Sequence, residues 1–239
     1  MHEEKSIIYQ LLNPLLARLL GYPAGTEVIA DNVLMSIMVI LLCALILPMV
    51  KKRLKLWNPG PIQQILEVAV EFIRRMLGDY IGSRGKKYIP MIGTFGIFII
   101  VGSLLEFIPG LQPATGNYNT TLALAIFSFA YYNIAGVREI GLIKYLAHFG
   151  GEVWWMAPIM FPIEVVSHFA RILSLSIRLF GNIFGDHLVV VIFSAFIPLI
   201  MPIPFMLLAL LVILLQAYIF MALSTIYLSG SVPSEEKPA

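Results

Sequence analysis

The chain has 239 residues, of which 59% are hydrophobic and only 13% are charged, and its formal net charge is +2. A soluble domain of this length cannot bury so much apolar surface, so the composition excludes a soluble protein and predicts an integral membrane protein. The small net charge gives no indication of nucleic-acid binding, and the single cysteine, Cys43, excludes an internal disulfide and a cysteine-based metal cluster.

The first membrane span is predicted at residues 32–50, where an uninterrupted apolar stretch is long enough to cross a bilayer core of roughly 30 Å. Residues 1–27 before it form an external segment, in which a short apolar patch is broken at Asn13-Pro14. The basic run 51–55 follows the span directly. Because positive charge collects on the cytoplasmic side, this end is predicted to be cytoplasmic and the N-terminus external.

A surface helix is predicted at residues 59–82, after a turn rich in proline and glycine. Its apolar residues recur at helical spacing, and its other face is polar. The polar face carries Gln63, Gln64, Glu67, Glu71, Arg74 and Arg75. This pattern is typical of an amphipathic helix lying at the cytoplasmic surface and is unlike that of a span.

Two more spans are predicted at residues 89–108 and 120–137, joined by an uncharged external loop. The only charge in the first of them is Glu106, close to its outer end. Two interpretations of this carboxylate stay open, an interfacial position and a role in an ion path.

The stretch 158–197 contains no strong break and would be roughly 60 Å long as one helix, about twice the thickness of a bilayer core. It is either one steeply tilted helix or two helices divided near Gly181 to Gly185. A last apolar helix is predicted at 205–228, followed by a polar cytoplasmic tail at 229–239. The sequence thus predicts an all-α membrane protein with about five crossings.

A stripe of ionisable and polar residues runs along the stretch 158–197. Steps of three or four residues from Glu164 pass through His168, Arg171, Leu175, Arg178 and Asn182 and end at Gly185 or Asp186. These positions share one helix face, whereas the residues between them are apolar. Charges inside an apolar helix are costly and mark an interface or an ion pathway, so this face is the candidate functional site.

The residues of this region resemble subunit a of the membrane sector of F-type ATP synthases. The resemblance rests on the sequence Ser-Leu-Ser-Ile-Arg-Leu-Phe-Gly-Asn at 174–182, on Pro-Ile-Glu at 162–164 and on Leu-Gln-Ala-Tyr-Ile-Phe at 215–220. The order and spacing of these blocks match the family. Weaker matches extend from about residue 30 to 228, and they include the outer loop and Pro202 to Pro204.

The resemblance implies a stator subunit that packs against a rotating ring of c subunits and contacts the peripheral-stalk b subunits and the lipid bilayer. Its last two long helices would form a steeply tilted hairpin along the ring. Two half-channels would load and unload protons on the ring, coupling ion flow to rotation and ATP synthesis. No Walker-type motif occurs, so the chain is expected to be non-catalytic, with no cofactor, no metal and no bound nucleotide or nucleic acid.

The resemblance also assigns residues. Arg178 matches the essential arginine of the family, and a guanidinium, which stays protonated, can attract each ionised carboxylate of the ring and block a direct leak. Asn182 and Gln216 match uncharged hydrogen-bonding positions beside it. Glu164 matches the acid of the cytoplasmic half-channel, with a helix-end interfacial carboxylate as the plainer interpretation.

The external side departs from the common family pattern. His187 stands nine residues after the arginine, where many members have a glutamate, and the last helix has no ionisable residue to pair with it. The external half-channel is therefore expected to use Asp186, His187 and Glu106. Adjacent residues project about 100° apart on a helix, so Asp186 and His187 cannot face the channel equally. Further candidates for channel lining are His168, Arg171, Asn119, Ser174 and Tyr227.

Three rival functions remain at this point. A self-contained ion channel or secondary transporter would use the stripe as a pore lining. A membrane enzyme would use Glu164, His168 and His187, but no convincing third metal ligand lies near the first two. A structural scaffold would not need Arg178. The expected location is the bacterial plasma (inner) membrane, with the C-terminus cytoplasmic.

Overall fold

The computed structural model describes residues 6, 9–10, 12–14, 23, 29–52, 54–55, 59–108, 110–142, 145, 157–196 and 202–232. Within these ranges the regular structure is helical. Six α-helices are named here in chain order: α1 Asp31–Lys52, α2 Pro61–Ile81, α3 Ile89–Leu104, α4 Tyr118–Ile140, α5 Ala157–Phe196 and α6 Pro202–Ser231. Most of the predicted external segment 1–27, and the predicted tail beyond residue 232, lie outside the described residues.

The prediction of an all-α protein with five membrane-crossing helices is confirmed. Five described helical segments are long and apolar enough to cross a bilayer: Asp31–Lys52, Ser83–Phe107, Tyr118–Ile140, Met160–Ala195 and Pro202–Ser231. The second of them is α3 extended by a short 3-10 turn at each end. Many of their apolar side chains face outward; in α1, Leu41 is 63% exposed and Leu45 is 67% exposed. Lipid is the environment in which such surfaces are stable.

Helix α2 is amphipathic, and it is not among these five segments. It begins at Pro61, whose fixed φ suits the first helical position, and it ends where Gly82 adopts a φ of +83°. Its buried residues, Ile73, Met76, Leu77 and Ile81, lie on the apolar face in the second half of the helix. Its place at the cytoplasmic surface stays a prediction.

Helix α5 is one continuous helix of 40 residues. The alternative of a division near Gly181 to Gly185 is therefore wrong. At both glycines the space beside the helix is open, since a Cβ atom at either position would have no atom within 4 Å. The inclination of α5 and α6 to the membrane stays a prediction, but a helix of roughly 60 Å can lie within a bilayer only if it is inclined.

The chain forms two compact units, and α3, α5 and α6 contribute to both. The first unit joins the N-terminal part of the chain to Ile97–Thr121 and Leu179–Ala217. The second joins Leu54–Gly96, Leu122–Arg178 and the C-terminal part of the chain from Tyr218. In α5 the boundary falls directly after Arg178.

The core of the first unit holds α1 against α3 and the outer loop. Its buried centre consists of Met35, Val39, Leu105 and Ala114, and Cys43 packs against it as a partly buried apolar residue. Below the loop, the Ser103 and Thr115 hydroxyls form a buried hydrogen bond of 2.7 Å. The loop is thereby fixed above the outer end of α3.

The core of the second unit is aromatic and closely packed. Phe95 of α3 lies edge-on to Phe127 of α4 and to Phe220 of α6, with ring centroids 6.2 and 5.3 Å apart. Ser128 and Ser224 form a buried hydrogen bond of 2.9 Å between α4 and α6. These contacts hold α3, α4 and α6 together through packing and a polar link.

Gly136 gives a test of this packing. A Cβ atom there would lie 2.6 Å from Tyr145 Cε2 and 2.7 Å from the backbone oxygen of Ser231, and backbone cannot move away cheaply. Gly136→Ala is expected to lower the thermal stability of the solubilised protein complex, at a cost of about 1–3 kcal/mol for overpacking. Gly78→Ala is the matched control, since a Cβ atom at Gly78 meets nothing within 4 Å. Equal melting temperatures for the two variants would contradict the packing described here.

Candidate functional site

The polar stripe of α5 divides into three groups of residues with different neighbours. The first group surrounds Glu164 in the second unit. Glu164 Oε1 lies 3.5 Å from His168 Nε2 and 3.7 Å from Arg171 Nη2. Helical pitch brings the three residues to one face, as the sequence predicts. At these distances the carboxylate is held by charge and by polar N–H groups without a short hydrogen bond.

His168 and Arg171 are each supported by an aromatic ring from another helix. The hydroxyl of Tyr132, in α4, lies 3.2 Å from His168 Nδ1, and both side chains are buried. The guanidinium of Arg171 lies over the ring of Tyr227, in α6, at 5.3 Å from its centroid. A cation over an aromatic face is attracted by the ring quadrupole. Tyr227 thus belongs to the Glu164 group, as expected.

Tyr132 is the residue of this group that the sequence analysis missed. A signal was present, because Ser128 and Tyr132 lie four residues apart in a predicted span and therefore share one helix face. The pattern does not show which other helix packs against this face.

Arg178 forms the second group with Ser174, to whose hydroxyl it donates at 3.4 Å. Both side chains are exposed. Within the described parts of the chain, no carboxylate forms an ion pair with Arg178. An arginine inside a membrane span costs at least about 2.5–3.5 kcal/mol to insert.

Asn182 follows one turn after Arg178 along α5. Its side-chain amide donates to Gln216 Oε1 at 2.7 Å, which links α5 to α6. Gln216 is only 2% exposed, whereas Asn182 is exposed. The two residues are brought together as the sequence suggests, and their hydrogen bond fixes the exposed amide of Asn182 on the surface of the hairpin.

The third group lies in the first unit, around Glu106 at the outer end of α3. His187 Nδ1 is 3.0 Å from Glu106 Oε1. The Glu106 side chain is 8% exposed and that of His187 is 40% exposed, so the imidazole is the more accessible member of the pair. The last helix, α6, offers no ionisable residue to pair with His187. Its partner, Glu106, belongs to the 3-10 turn that directly follows α3.

Asp186, next to His187, does not pair with Glu106. Its Oδ2 atom is buried and has no hydrogen-bond partner among the described residues, and the carboxylate lies within electrostatic range of Glu106. Of the two adjacent candidates, His187 is the one paired with Glu106. Two ionised carboxylates repel each other, whereas an imidazole can donate to a carboxylate.

Asn119 is not brought to the Glu106 group. Its backbone N–H donates to Asn117 Oδ1 at 2.9 Å, in the turn that begins α4, and its side chain is exposed. The same oxygen accepts a hydrogen bond from Asn32 at 3.3 Å, which ties the start of α1 to the outer loop. The described contacts of Asn119 are those of a helix start, and a role as channel lining stays a prediction.

Comparison with known proteins places the chain in one family. A family model described as "ATP synthase A chain" matches residues 33–229. The chain is 40% identical over 226 residues to "ATP synthase subunit a" of Geobacter sulfurreducens, covering 95% of this chain and 96% of the relative.

Two other bacterial relatives agree. "ATP synthase subunit a" of a Nitratiruptor species is 46% identical over 198 residues, which cover 82% of this chain and 87% of the relative. "ATP synthase subunit a 2" of Syntrophotalea carbinolica is 45% identical over 174 residues, 73% of this chain and 74% of the relative. Apolar helices long enough to span a bilayer, the polar stripe of α5 and these matches agree: the chain belongs to the ATP synthase A chain family.

Proposed function

We propose that the chain is the ion-translocating stator subunit of an F-type ATP synthase. It provides two half-channels that load and unload protons on a c-ring and so couple ion flow to rotation and ATP synthesis. The observation that carries the proposal is the exposed guanidinium of Arg178, which has no acidic partner in the described chain. A carboxylate on each passing c subunit would supply that partner.

The face around Arg178 suits a rotating neighbour. Ser174, Gly181 and Asn182 of the same helix are exposed as well, and Gly181 leaves room for a close helix, because nothing lies within 4 Å of where its Cβ would be. Arginine remains cationic as each ring carboxylate arrives, so it can attract every one of them in turn. A permanent charge at this point also opposes the direct passage of a cation between the two half-channels.

Each half-channel is assigned an acid paired with a histidine. On the cytoplasmic side this is Glu164 with His168, and on the external side Glu106 with His187. An imidazole changes its charge near neutral pH, and carboxylates serve as general acids and bases in proteins. Along α5 the first pair precedes Arg178 and His187 follows it, which is the order that a stator requires.

The remaining assignments rest on the family and on charge distribution. The peripheral-stalk b subunits are proposed as further partners, and nucleotide chemistry is assigned to other subunits, so this chain is non-catalytic. The basic run 51–55 after α1 and the five crossings support a bacterial plasma membrane location with an external N-terminus and a cytoplasmic C-terminus.

Arg178→Ala in the complete complex is expected to abolish ATP-driven acidification of vesicles, because the ring carboxylates lose the charge that attracts them. Complex assembly and ATP hydrolysis are recorded in parallel. Arg75→Ala is the control, since this arginine lies on α2, is 76% exposed in its side chain and pairs only locally with Glu71. Normal pumping by the Arg178 variant would refute the stator assignment, as would proton conduction by the purified chain alone.

The external pair is tested by a double-mutant cycle on pumping rate. Glu106→Gln and His187→Gln should each slow pumping, and the double variant should be no slower than the worse single one, because both changes break the same contact. The control combines Glu106→Gln with Glu71→Gln on α2, where the effects should add. Additive losses for Glu106 and His187 would mean that the two residues act independently.

A further inference from the structure

Tyr132 and His168 form a buried contact that the proposed function does not use. The Tyr132 hydroxyl meets His168 Nδ1 at 3.2 Å, and the two rings stack with an interplanar angle of 23°. Phe129, one turn earlier in α4, places its ring at 78° to the imidazole, with centroids 5.6 Å apart. The imidazole is thus held by α4 both through its ring face and through one nitrogen.

The contact between the Tyr132 hydroxyl and His168 Nδ1 can form in either direction, depending on the imidazole tautomer. A neutral imidazole that accepts the Tyr132 O–H at Nδ1 has its own N–H at Nε2. Nε2 is the atom that lies 3.5 Å from Glu164 Oε1, at the outer edge of hydrogen-bonding distance. In the tautomer in which Tyr132 donates to Nδ1, the imidazole presents its N–H to the carboxylate.

The other charged and titratable groups around His168 come from three parts of the second unit. Arg171 shares Glu164 Oε1 from the same helix, at 3.7 Å, and lies over the ring of Tyr227 in α6. Tyr145, which follows α4, lies within electrostatic range of both Arg171 and Glu164. Arg171 is only partly buried, with 31% of its side chain exposed, whereas His168 is buried, so the imidazole is the better fixed of the two donors.

We propose that Tyr132 and His168 are positioning residues for Glu164: Tyr132 fixes the imidazole tautomer, and His168 Nε2–H stabilises the ionised carboxylate. The inference rests on the proposed function, in which Glu164 exchanges protons with the cytoplasm. A carboxylate that faces a fixed donor releases its proton more easily than one that does not. The proposal therefore predicts that replacing either side chain changes the pH dependence of proton uptake from the cytoplasm.

The test uses the complete complex in vesicles whose cytoplasmic face is outward. ATP-driven acidification is measured against external pH and divided by the rate of ATP hydrolysis at each pH. Tyr132→Phe removes the hydroxyl and keeps the ring, so the pH of half-maximal coupling should rise by about half a unit, which corresponds to an approximately threefold lower proton concentration. The maximal coupled rate at low pH should be retained.

Tyr131→Phe is the matched control. Tyr131 is the adjacent residue in α4, and its ring packs edge-on to Tyr88, with centroids 6.3 Å apart. Its pH profile should coincide with that of the unaltered complex. Coincident profiles for Tyr132→Phe and Tyr131→Phe would overturn the positioning role.

Two substitutions of His168 distinguish the role of Nε2 from that of Nδ1. The amide nitrogen of Gln can take the place of imidazole Nε2, whereas that of Asn reaches only the place of Nδ1. His168→Gln should therefore stay close to the unaltered profile, and His168→Asn should shift upward like Tyr132→Phe. If both variants matched the unaltered complex, the imidazole would only fill space and the proposal would be wrong.

Arg178→Ala, measured in the same vesicles, separates this proposal from the proposed function. If that variant pumps normally, the stator assignment itself fails. If it abolishes pumping while the Tyr132 and His168 variants leave the pH profile unmoved, the positioning role alone is rejected.

Discussion

The structure depends on one constraint, the cost of placing charge inside an apolar bilayer. Helix α5 carries Glu164, Arg171, Arg178 and Asp186 within a stretch that is otherwise apolar, and every one of these charges needs a counter-charge, a polar neighbour or water. Two of the four have a neighbour of opposite charge within the chain, since Glu164 lies close to Arg171, whereas Asp186 lies within electrostatic range of another carboxylate, Glu106. Among the described residues Arg178 has no acidic partner, and its side chain contacts the hydroxyl of Ser174.

Each of the two units contains a carboxylate paired with a histidine of α5. In each, a carboxylate is held by a histidine, Glu164 by His168 in the second unit and Glu106 by His187 in the first. The pairs differ in which side chain is buried away from solvent. His168 is buried and its carboxylate is 39% exposed, whereas Glu106 is 8% exposed and its histidine 40%. A proton arriving from water would therefore meet the carboxylate first in one unit and the imidazole first in the other.

Local physics made the fold and half of the site predictable from sequence. The stripe from Glu164 to Asn182 follows from the pitch of one helix, and the contacts of Glu164 with His168 and Arg171 span no more than seven residues. The partners that sequence reasoning missed or left open are remote along the chain. His187 meets Glu106 across 81 residues, and Tyr132 meets His168 across 36. Helical periodicity carries no information on which helices become neighbours.

By itself, the sequence determined the membrane class, the five apolar helices, the amphipathic α2 and the face on which Arg178 lies. These properties depend on composition and on a period of 3.6 residues, which are both local. The tertiary structure alone decided that α5 continues through Gly181 and Gly185, that His187 rather than Asp186 pairs with Glu106, and that Tyr132 supports His168. The last two depend on the packing of side chains from separate helices, where a rotation of 100° about one axis exchanges one neighbour for another.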